Sequence, residues 1–115
     1  MYRVPLLALI VALSLAPAVA ANSKPIRFWN LTLHTVVSLQ LSPAGQQAWG
    51  HDQCENDRDH EVDHDERLRI TDTGPGRYDV RIKDKSGRTC TVRNVDVKDG
   101  AIFTIEEKDL ADCGG

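Results

Sequence analysis

The chain has no excess of positive charge, and this limits the partners it can bind. Its 115 residues include 14 lysines and arginines against 17 aspartates and glutamates, a formal net charge of −3 at pH 7 with histidine neutral. Proteins that bind nucleic acids or anionic lipid surfaces do so through clusters of basic residues. The charge balance therefore argues against both of these as partners.

The sequence also lacks the motifs of the common catalytic folds, namely a phosphate-binding loop, a nucleophile elbow and a dinucleotide-binding fingerprint. A Cys–His pair can be drawn from Cys54 with His51 or His60, but the surrounding carboxylates would raise the pKa of the thiol and oppose its attack. A domain of this size has little room for the sheltered pocket that a general acid needs. We therefore expect no enzymatic activity.

The one long apolar run lies at the N-terminus and has the form of a signal peptide. Arg3 supplies a positive charge, residues 6–15 are almost entirely apolar, and residues 18–20 read Ala-Val-Ala, a cleavage pattern. The run is shorter than the ~20 residues of a membrane-spanning helix. We expect residues 1–20 to be removed, leaving residues 21–115 in the periplasm or outside the cell, with no stable membrane anchor.

Short stretches of alternating apolar and polar residues follow and predict strands. Residues 26–41 alternate, and a turn near His34 would divide them because the stretch is long for a single strand. Further strand candidates are residues 67–71, 77–83, 88–97 and 101–105. A change of alternation near Arg93-Asn94 predicts a bulge, and Asp84–Gly87 and Asp99-Gly100 predict hairpin turns.

Together these segments predict a single all-β domain after the signal peptide. Six or seven short strands with polar turns are typical of a small antiparallel β-sandwich or open barrel. The predicted interior contains Trp29, Leu31, Leu39, Leu41, Tyr78, Val80, Ile82, Val92 and Ile102.

The three cysteines, Cys54, Cys90 and Cys113, are expected to meet an oxidising compartment after export. We favour a disulfide between Cys90 and Cys113, because it would tie the chain end to a predicted strand and stabilise by roughly 3 kcal/mol on the loop-entropy model. Pairings of Cys54 with either of the others stay open. An unpaired Cys54 would be a reactive thiol, an intermolecular bridge or a metal ligand.

Several short motifs carry a resemblance that covers nearly all of the chain after the signal peptide. They are Asn30-x-Thr32, Val37-x-Leu39-x-Leu41-Ser42-Pro43, Trp49-Gly50, Tyr78-Asp79-Val80-Arg81, and Cys90 with a terminal Cys113. This pattern resembles a group of small exported bacterial domains of largely uncharacterised function. The resemblance implies a β-sandwich-like domain and no established activity.

Residues 51–66, which we name the acidic loop, are the most unusual segment. From Asp52 to Glu66 there are eight acidic residues and one basic residue, and the loop holds three of the four histidines. Two kinds of metal site can be drawn from it. Alternating carboxylates would offer oxygen ligands to Ca²⁺, although Val62 and Leu68 break the helix-loop-helix calcium pattern. These carboxylates are Asp57, Asp59, Glu61, Asp63 and Asp65.

Softer ligands in the same loop predict Zn²⁺ or Cu²⁺ instead. His51 and Cys54 are three residues apart, and His60 and His64 are four apart, which are spacings found in zinc sites. A charge run of this kind can also be a solvated surface. The sequence thus predicts an exported, non-catalytic binding or interaction module with a divalent cation in the acidic loop. The alternative is a structural or protein-interaction domain without metal, whose protein partner the sequence does not name.

Overall fold

The computed structural model describes residues 24–114, so the predicted signal peptide at 1–20 lies outside the described residues. Within this part the regular structure consists of seven strands and two short 3-10 helices. The strands are β1 (Ile26–Leu31), β2 (Val36–Pro43), β3 (Arg67–Ile70), β4 (Gly76–Asp84), β5 (Thr89–Val97), β6 (Ile102–Glu106) and β7 (Cys113–Gly114). The 3-10 helices are Gln53–Asn56 and Glu107–Asp109. The prediction of an all-β domain is confirmed.

The strands form two sheets that enclose one core. The three-stranded sheet has the order β3-β1-β6, and the four-stranded sheet has the order β2-β4-β5-β7. Both sheets contribute to the core, whose largest fully buried apolar side chains are Phe28, Val36, Leu39, Val62, Leu68, Val80, Ile82, Val97 and Ile105. No helix in residues 24–114 is long and apolar enough to cross a membrane.

The Asp84–Gly87 turn and the bulge agree with the sequence, but the Asp99-Gly100 turn does not form a hairpin. The register of β4 and β5 shifts opposite Arg93 and Asn94, where Asn94 has a φ of 57°. The turn at Asp99-Gly100 instead carries the chain from the four-stranded to the three-stranded sheet, where β6 lies beside β1 and runs parallel to it. All other strand pairs are antiparallel, as expected.

The predicted inward face of β1 is wrong. Ile26, Phe28 and Asn30 are buried, whereas Trp29 and Leu31 lie on the outer side. Strand residues alternate between faces, so burying Asn30 places its apolar neighbours outside. Ile102, also predicted to lie inside, is 39% exposed. The outer side of the three-stranded sheet is consequently richer in large side chains than the sequence indicated.

The predicted disulfide between Cys90 and Cys113 is confirmed. It joins β5 to the two-residue strand β7, which pairs with β5 at Thr89 and Cys90. Cys54 is a free thiol and is wholly buried. The disulfide therefore fixes the C-terminal segment to the edge of the four-stranded sheet.

Candidate functional site

The acidic loop and the segment before it follow the outer edge of β2 and bond to its backbone. The contacts are Gly50 N–H to Leu41 O (2.9 Å), Leu39 N–H to Asp52 Oδ1 (2.9 Å), and a reciprocal pair of Val36 and Val62 (2.9 Å each way). An exposed sheet edge offers unpaired donors and acceptors to other chains. These contacts close the β2 edge with residues of the same chain.

The same loop also reaches β3 in the other sheet. Asn56 Nδ2 donates to Arg69 O at 2.8 Å. The side chain of Gln53 forms a two-bond pair with the backbone of Thr71, at 2.9 Å in each direction. Gln53 is buried, and the first 3-10 helix thereby ties the two sheets together along one side of the sandwich.

The buried Asn30 anchors the far end of the loop. Its Nδ2 donates to Val62 O at 2.9 Å and to His34 O at 3.1 Å. Its Oδ1 accepts from the backbone N–H and the hydroxyl of Thr32, at 3.0 and 2.7 Å. Its backbone N–H donates to Glu66 O at 2.9 Å. A polar group in the core is thus fully bonded, which explains why β1 can turn Asn30 inward.

Most of the predicted oxygen ligands are bonded to the protein itself. Asp57 accepts a hydrogen bond from the Asp59 backbone N–H at 2.8 Å, and Asp63 accepts one from the Thr35 hydroxyl at 2.8 Å. Asp65 accepts a hydrogen bond from Trp29 Nε1 at 3.0 Å. Glu61 forms an ion pair with Lys85 Nζ at 3.1 Å. His60 and Asp65 have φ values of 60° and 71°, so the segment is neither an extended strand nor a helical turn. The alternation that would align five carboxylates is therefore not realised.

The predicted nitrogen and sulfur ligands also have different surroundings in the structure. Burial, together with the charge of Asp52, raises the pKa of the Cys54 thiol to about 12. His64 Nδ1 lies 2.7 Å from Thr32 O, and His51 Nε2 lies 3.3 Å from Thr71 Oγ1. His60 is exposed.

Across residues 24–114, no three or more histidine, cysteine, aspartate or glutamate side chains are grouped so that they could hold a metal ion. The nine predicted ligands all lie in the acidic loop, but the structure does not gather them around one point. Cation binding by this loop stays a prediction.

A different group of residues stands out on the outer side of the three-stranded sheet. Arg27 and Trp29 on β1, Arg67 and Arg69 on β3, and Ile102 on β6 point away from the core. We name these five residues the arginine face. The three arginines are exposed and Trp29 is half-buried. The overall negative charge of the chain concealed this local cluster, since its members are far apart in sequence.

The register of the strands fixes the layout of this face. Arg27 lies directly opposite Arg69, and Trp29 lies opposite Arg67. The guanidinium of Arg67 sits over the Trp29 ring, 4.3 Å from its centroid. Asn30 N–H donates to Glu66 O, so Asn30 and Glu66 form a hydrogen-bonded position between β1 and β3. Hydrogen-bonded and non-hydrogen-bonded positions alternate along antiparallel strands. The pairs Arg27–Arg69 and Trp29–Arg67 are therefore of the closely spaced, non-hydrogen-bonded kind. Their side chains consequently stand close together.

No acidic side chain pairs with the arginines of this face. None of the ion pairs within residues 24–114 includes Arg27, Arg67 or Arg69. By contrast, Arg88 binds both Asp84 (2.9 Å) and Glu107 (2.7 Å). The described part of the chain therefore supplies carboxylates where an arginine joins parts of the fold, and supplies none to the three arginines of the arginine face.

Comparisons with protein-family models, with curated proteins and with solved structures find no match to this chain. The functional argument therefore rests on the geometry of the domain itself.

Proposed function

We propose that this chain is an exported, non-catalytic interaction domain that binds an acidic segment of a partner protein through the arginine face. The observation that carries the proposal is the opposed pair Arg27 and Arg69, which has no acidic partner among residues 24–114. Like charges directly opposite on neighbouring strands destabilise a sheet. Carboxylates of a partner placed between them would remove this repulsion.

The chemistry of the face suits a protein partner. Guanidinium groups bind carboxylates with two parallel hydrogen bonds, which gives direction as well as charge. Arginine and tryptophan are the residues most enriched among the energetic centres of protein interfaces. Ile102 lies beside Arg27 in the register of β1 and β6, and adds an exposed apolar contact. The face thus combines charge, an aromatic ring and an apolar side chain on rigid strands.

The surroundings of the face favour a short acidic segment over an extended polyanion. Asp65 of the acidic loop bonds to Trp29 Nε1, so negative charge begins at the border of the face. At physiological ionic strength, charges interact over about 8 Å. A nucleic acid or an anionic bilayer would extend beyond the arginines and meet the loop, whereas a short peptide would not.

In this proposal the acidic loop has a structural role. It closes the edge of β2, bonds to Arg69 O on the edge of β3, and holds Asp65 against Trp29. This is the alternative without metal that the sequence left open, with contacts that also make the loop part of the fold. Export, and the resemblance to small exported bacterial domains, enter the proposal only as predictions from the sequence.

A binding assay with a defined peptide tests the proposal. The protein is purified after export by its own N-terminal segment. The probe is a fluorescent decapeptide of alternating Glu and Thr, whose alternate side chains lie about 7 Å apart when extended, as do those of Arg67 and Arg69. The comparison peptide replaces each Glu by Gln. We expect the Glu peptide to bind, the Gln peptide not to bind, and added salt to weaken binding.

Two double variants separate the face from total charge. Arg27→Gln with Arg69→Gln should weaken binding at least tenfold. Arg58→Gln with Arg77→Gln removes the same charge from exposed arginines outside the face, and should change binding less than twofold. Equal losses in the two variants, or no binding by the unmodified protein, would refute the proposal.

A further inference from the structure

The sandwich has four outer strand edges, and other segments of the chain bond to three of them along at least part of their length. The acidic loop bonds to β2 and β3, as described above. The edge of β5 is covered at its beginning by β7, the disulfide, and a hydrogen bond from Thr91 N–H to Asp112 O at 2.8 Å. The fourth edge belongs to β6, the outer strand of the three-stranded sheet.

The backbone of β6 presents hydrogen-bonding groups to this open side. Arg27 N–H donates to Ala101 O at 3.1 Å, so the backbone of Ala101 faces β1. Backbone groups alternate along a strand, and those of Ile102 and Thr104 therefore point away from β1. Within residues 24–114 these outward groups have no hydrogen-bond partner, whereas the next one, Glu106 N–H, is bonded to Asp109 Oδ2 at 2.8 Å.

The side chains of β6 do not protect this edge either. Natural edge strands are usually blocked by lysine, proline, a bulge or a covering segment. The run Ile102-Phe103-Thr104-Ile105 has none of these residues and a high strand propensity. A strand with this composition and a free edge is suited to pairing with another strand.

We infer that β6 pairs antiparallel with β6 of a second copy of this chain, joining two three-stranded sheets into one of six strands. Placing Ile102 of each copy opposite Thr104 of the other aligns their outward groups and forms four backbone hydrogen bonds. In this register Glu106 lies opposite Gly100, so no two carboxylates within the paired strands face each other. A second copy fits because the contact is self-complementary and closes by two-fold symmetry.

This pairing places two arginine faces on one surface. Residues opposite each other on paired strands project to the same side of a sheet. The dimer would therefore present three arginines from each copy side by side, and an acidic partner with two binding segments would gain from both. This consequence rests on the proposed function, whereas the dimer itself does not. A contact through one short strand is small, so we expect association only above about 10 μM.

Sedimentation equilibrium of the exported protein from 10 μM to 1 mM tests the inference. Thr104→Pro removes only an outward N–H, and proline is tolerated on edge strands. Thr104→Val keeps that N–H and serves as the matched control. We expect the unmodified protein and Thr104→Val to dimerise, and Thr104→Pro to stay monomeric with a similar melting temperature. Ile102→Lys, a second edge variant at an exposed position, should also weaken the dimer at least tenfold.

A monomeric unmodified protein at 1 mM would overturn the inference, and so would a dimer that neither edge variant weakens. The dimer could also be lost in the Arg27→Gln, Arg69→Gln variant and persist in Thr104→Pro. That result would place the contact on the arginine face and would overturn the inference as well. Peptide binding measured on monomeric Thr104→Pro keeps the two proposals separate, because the five residues of the arginine face are unchanged, and Thr104→Val controls for the altered side chain beside Trp29.

Discussion

Arg27 and Arg69 occupy directly opposed positions on β1 and β3, and no carboxylate within residues 24–114 pairs with either of them. In the same domain Arg88 is held between Asp84 and Glu107. Arg93 likewise pairs with Asp79 and Asp112, so the described part of the fold contains two arginines whose charge is neutralised internally and an opposed pair whose charge is not. We attribute the difference to function, since an unpaired charge pair contributes nothing to the stability of a sheet.

This relationship predicts that removing the charge of one arginine of the pair stabilises the domain. Arg69→Gln removes the repulsion across the strand pair, so the free energy of unfolding should rise by about 0.2–1 kcal/mol at low salt. The gain should shrink at 1 M salt, where charges are screened. Denaturant unfolding at both salt concentrations measures it. A loss of stability at low salt would mean that Arg69 supports the fold and is not reserved for a partner.

The buried amide of Asn30 is expected to be one of the most sensitive positions in the domain. Asn30→Ala removes the acceptor of the buried Thr32 N–H and one of the two donors to each of the Val62 and His34 carbonyls, and leaving a buried group unpaired costs about 1–3 kcal/mol. We expect a loss of about 2–4 kcal/mol in the free energy of unfolding, with faster amide exchange at Val62. Gln46→Ala, which removes a side-chain amide from an exposed position, is the control and should change the free energy of unfolding by about 0.5 kcal/mol or less.

The Arg88 cluster predicts loss of stability in acid. Hydrogen bonds from Arg88, and then from the Leu33 backbone, hold the pKa of Glu107 below its ordinary value. Burial would raise the pKa of Asp84, but hydrogen bonds from Ser86 and Arg88 outweigh it and lower that pKa too. A carboxylate whose pKa is lower in the folded state stabilises fully above its unfolded pKa, about 4, and loses that contribution as pH falls through the folded value.

We therefore expect the free energy of unfolding to be level near neutral pH and to fall progressively below about pH 5. Glu107→Gln should lower stability at pH 7 and make the acid slope shallower, while Asp99→Asn, at an exposed position without an ion pair in the described chain, should leave the slope unchanged. Urea unfolding at several pH values measures this. Stability that stays constant down to pH 2 would contradict the role given to the cluster.

Metal removal is expected to have little effect. After treatment with chelator, equimolar Zn²⁺, Cu²⁺ or Ca²⁺ should shift the melting temperature by less than about 1 °C, since most candidate ligands in the acidic loop already bond to protein groups. A true site at a hundredfold excess over its dissociation constant would add about 2.7 kcal/mol, or about 10 °C or more. Such a shift would support the cation hypothesis, and its loss in His60→Ala with His64→Ala would assign the metal to the imidazole ligands.

The strands and most turns followed from the sequence because each depends on local pattern, whereas the disulfide was only favoured over the two pairings of Cys54. Alternation located β4, and turn residues located the Asp84–Gly87 hairpin. The side of β1 that faces the core did not follow from pattern, because burying Asn30 depends on the carbonyl of Val62, thirty-two residues away. Alternation alone favoured the larger apolar side chain of Trp29 for the interior.

The arginine face could not be predicted from the sequence for a similar reason. The arginine face exists only through the register that sets Arg27 against Arg69, and a total charge of −3 masks three arginines on one surface. The acidic loop is the opposite case, because its composition is conspicuous in the sequence and led to the prediction of a metal site. Its contacts with β2 and β3 depend on backbone groups of those strands, which carry no signal in the sequence.

The most direct test of the central claim is a nuclear magnetic resonance titration of the ¹⁵N-labelled protein with the Glu-Thr peptide. Trp49 provides an internal control, because Arg81 lies over its ring at the same 4.3 Å found for Arg67 over Trp29, but Arg81 is on β4 of the other sheet. We predict shifts in the indole of Trp29 and the guanidinium resonances of Arg27, Arg67 and Arg69, with the Trp49 indole unchanged. Shifts centred on Trp49 and Arg81, or no shifts at all, would contradict the account.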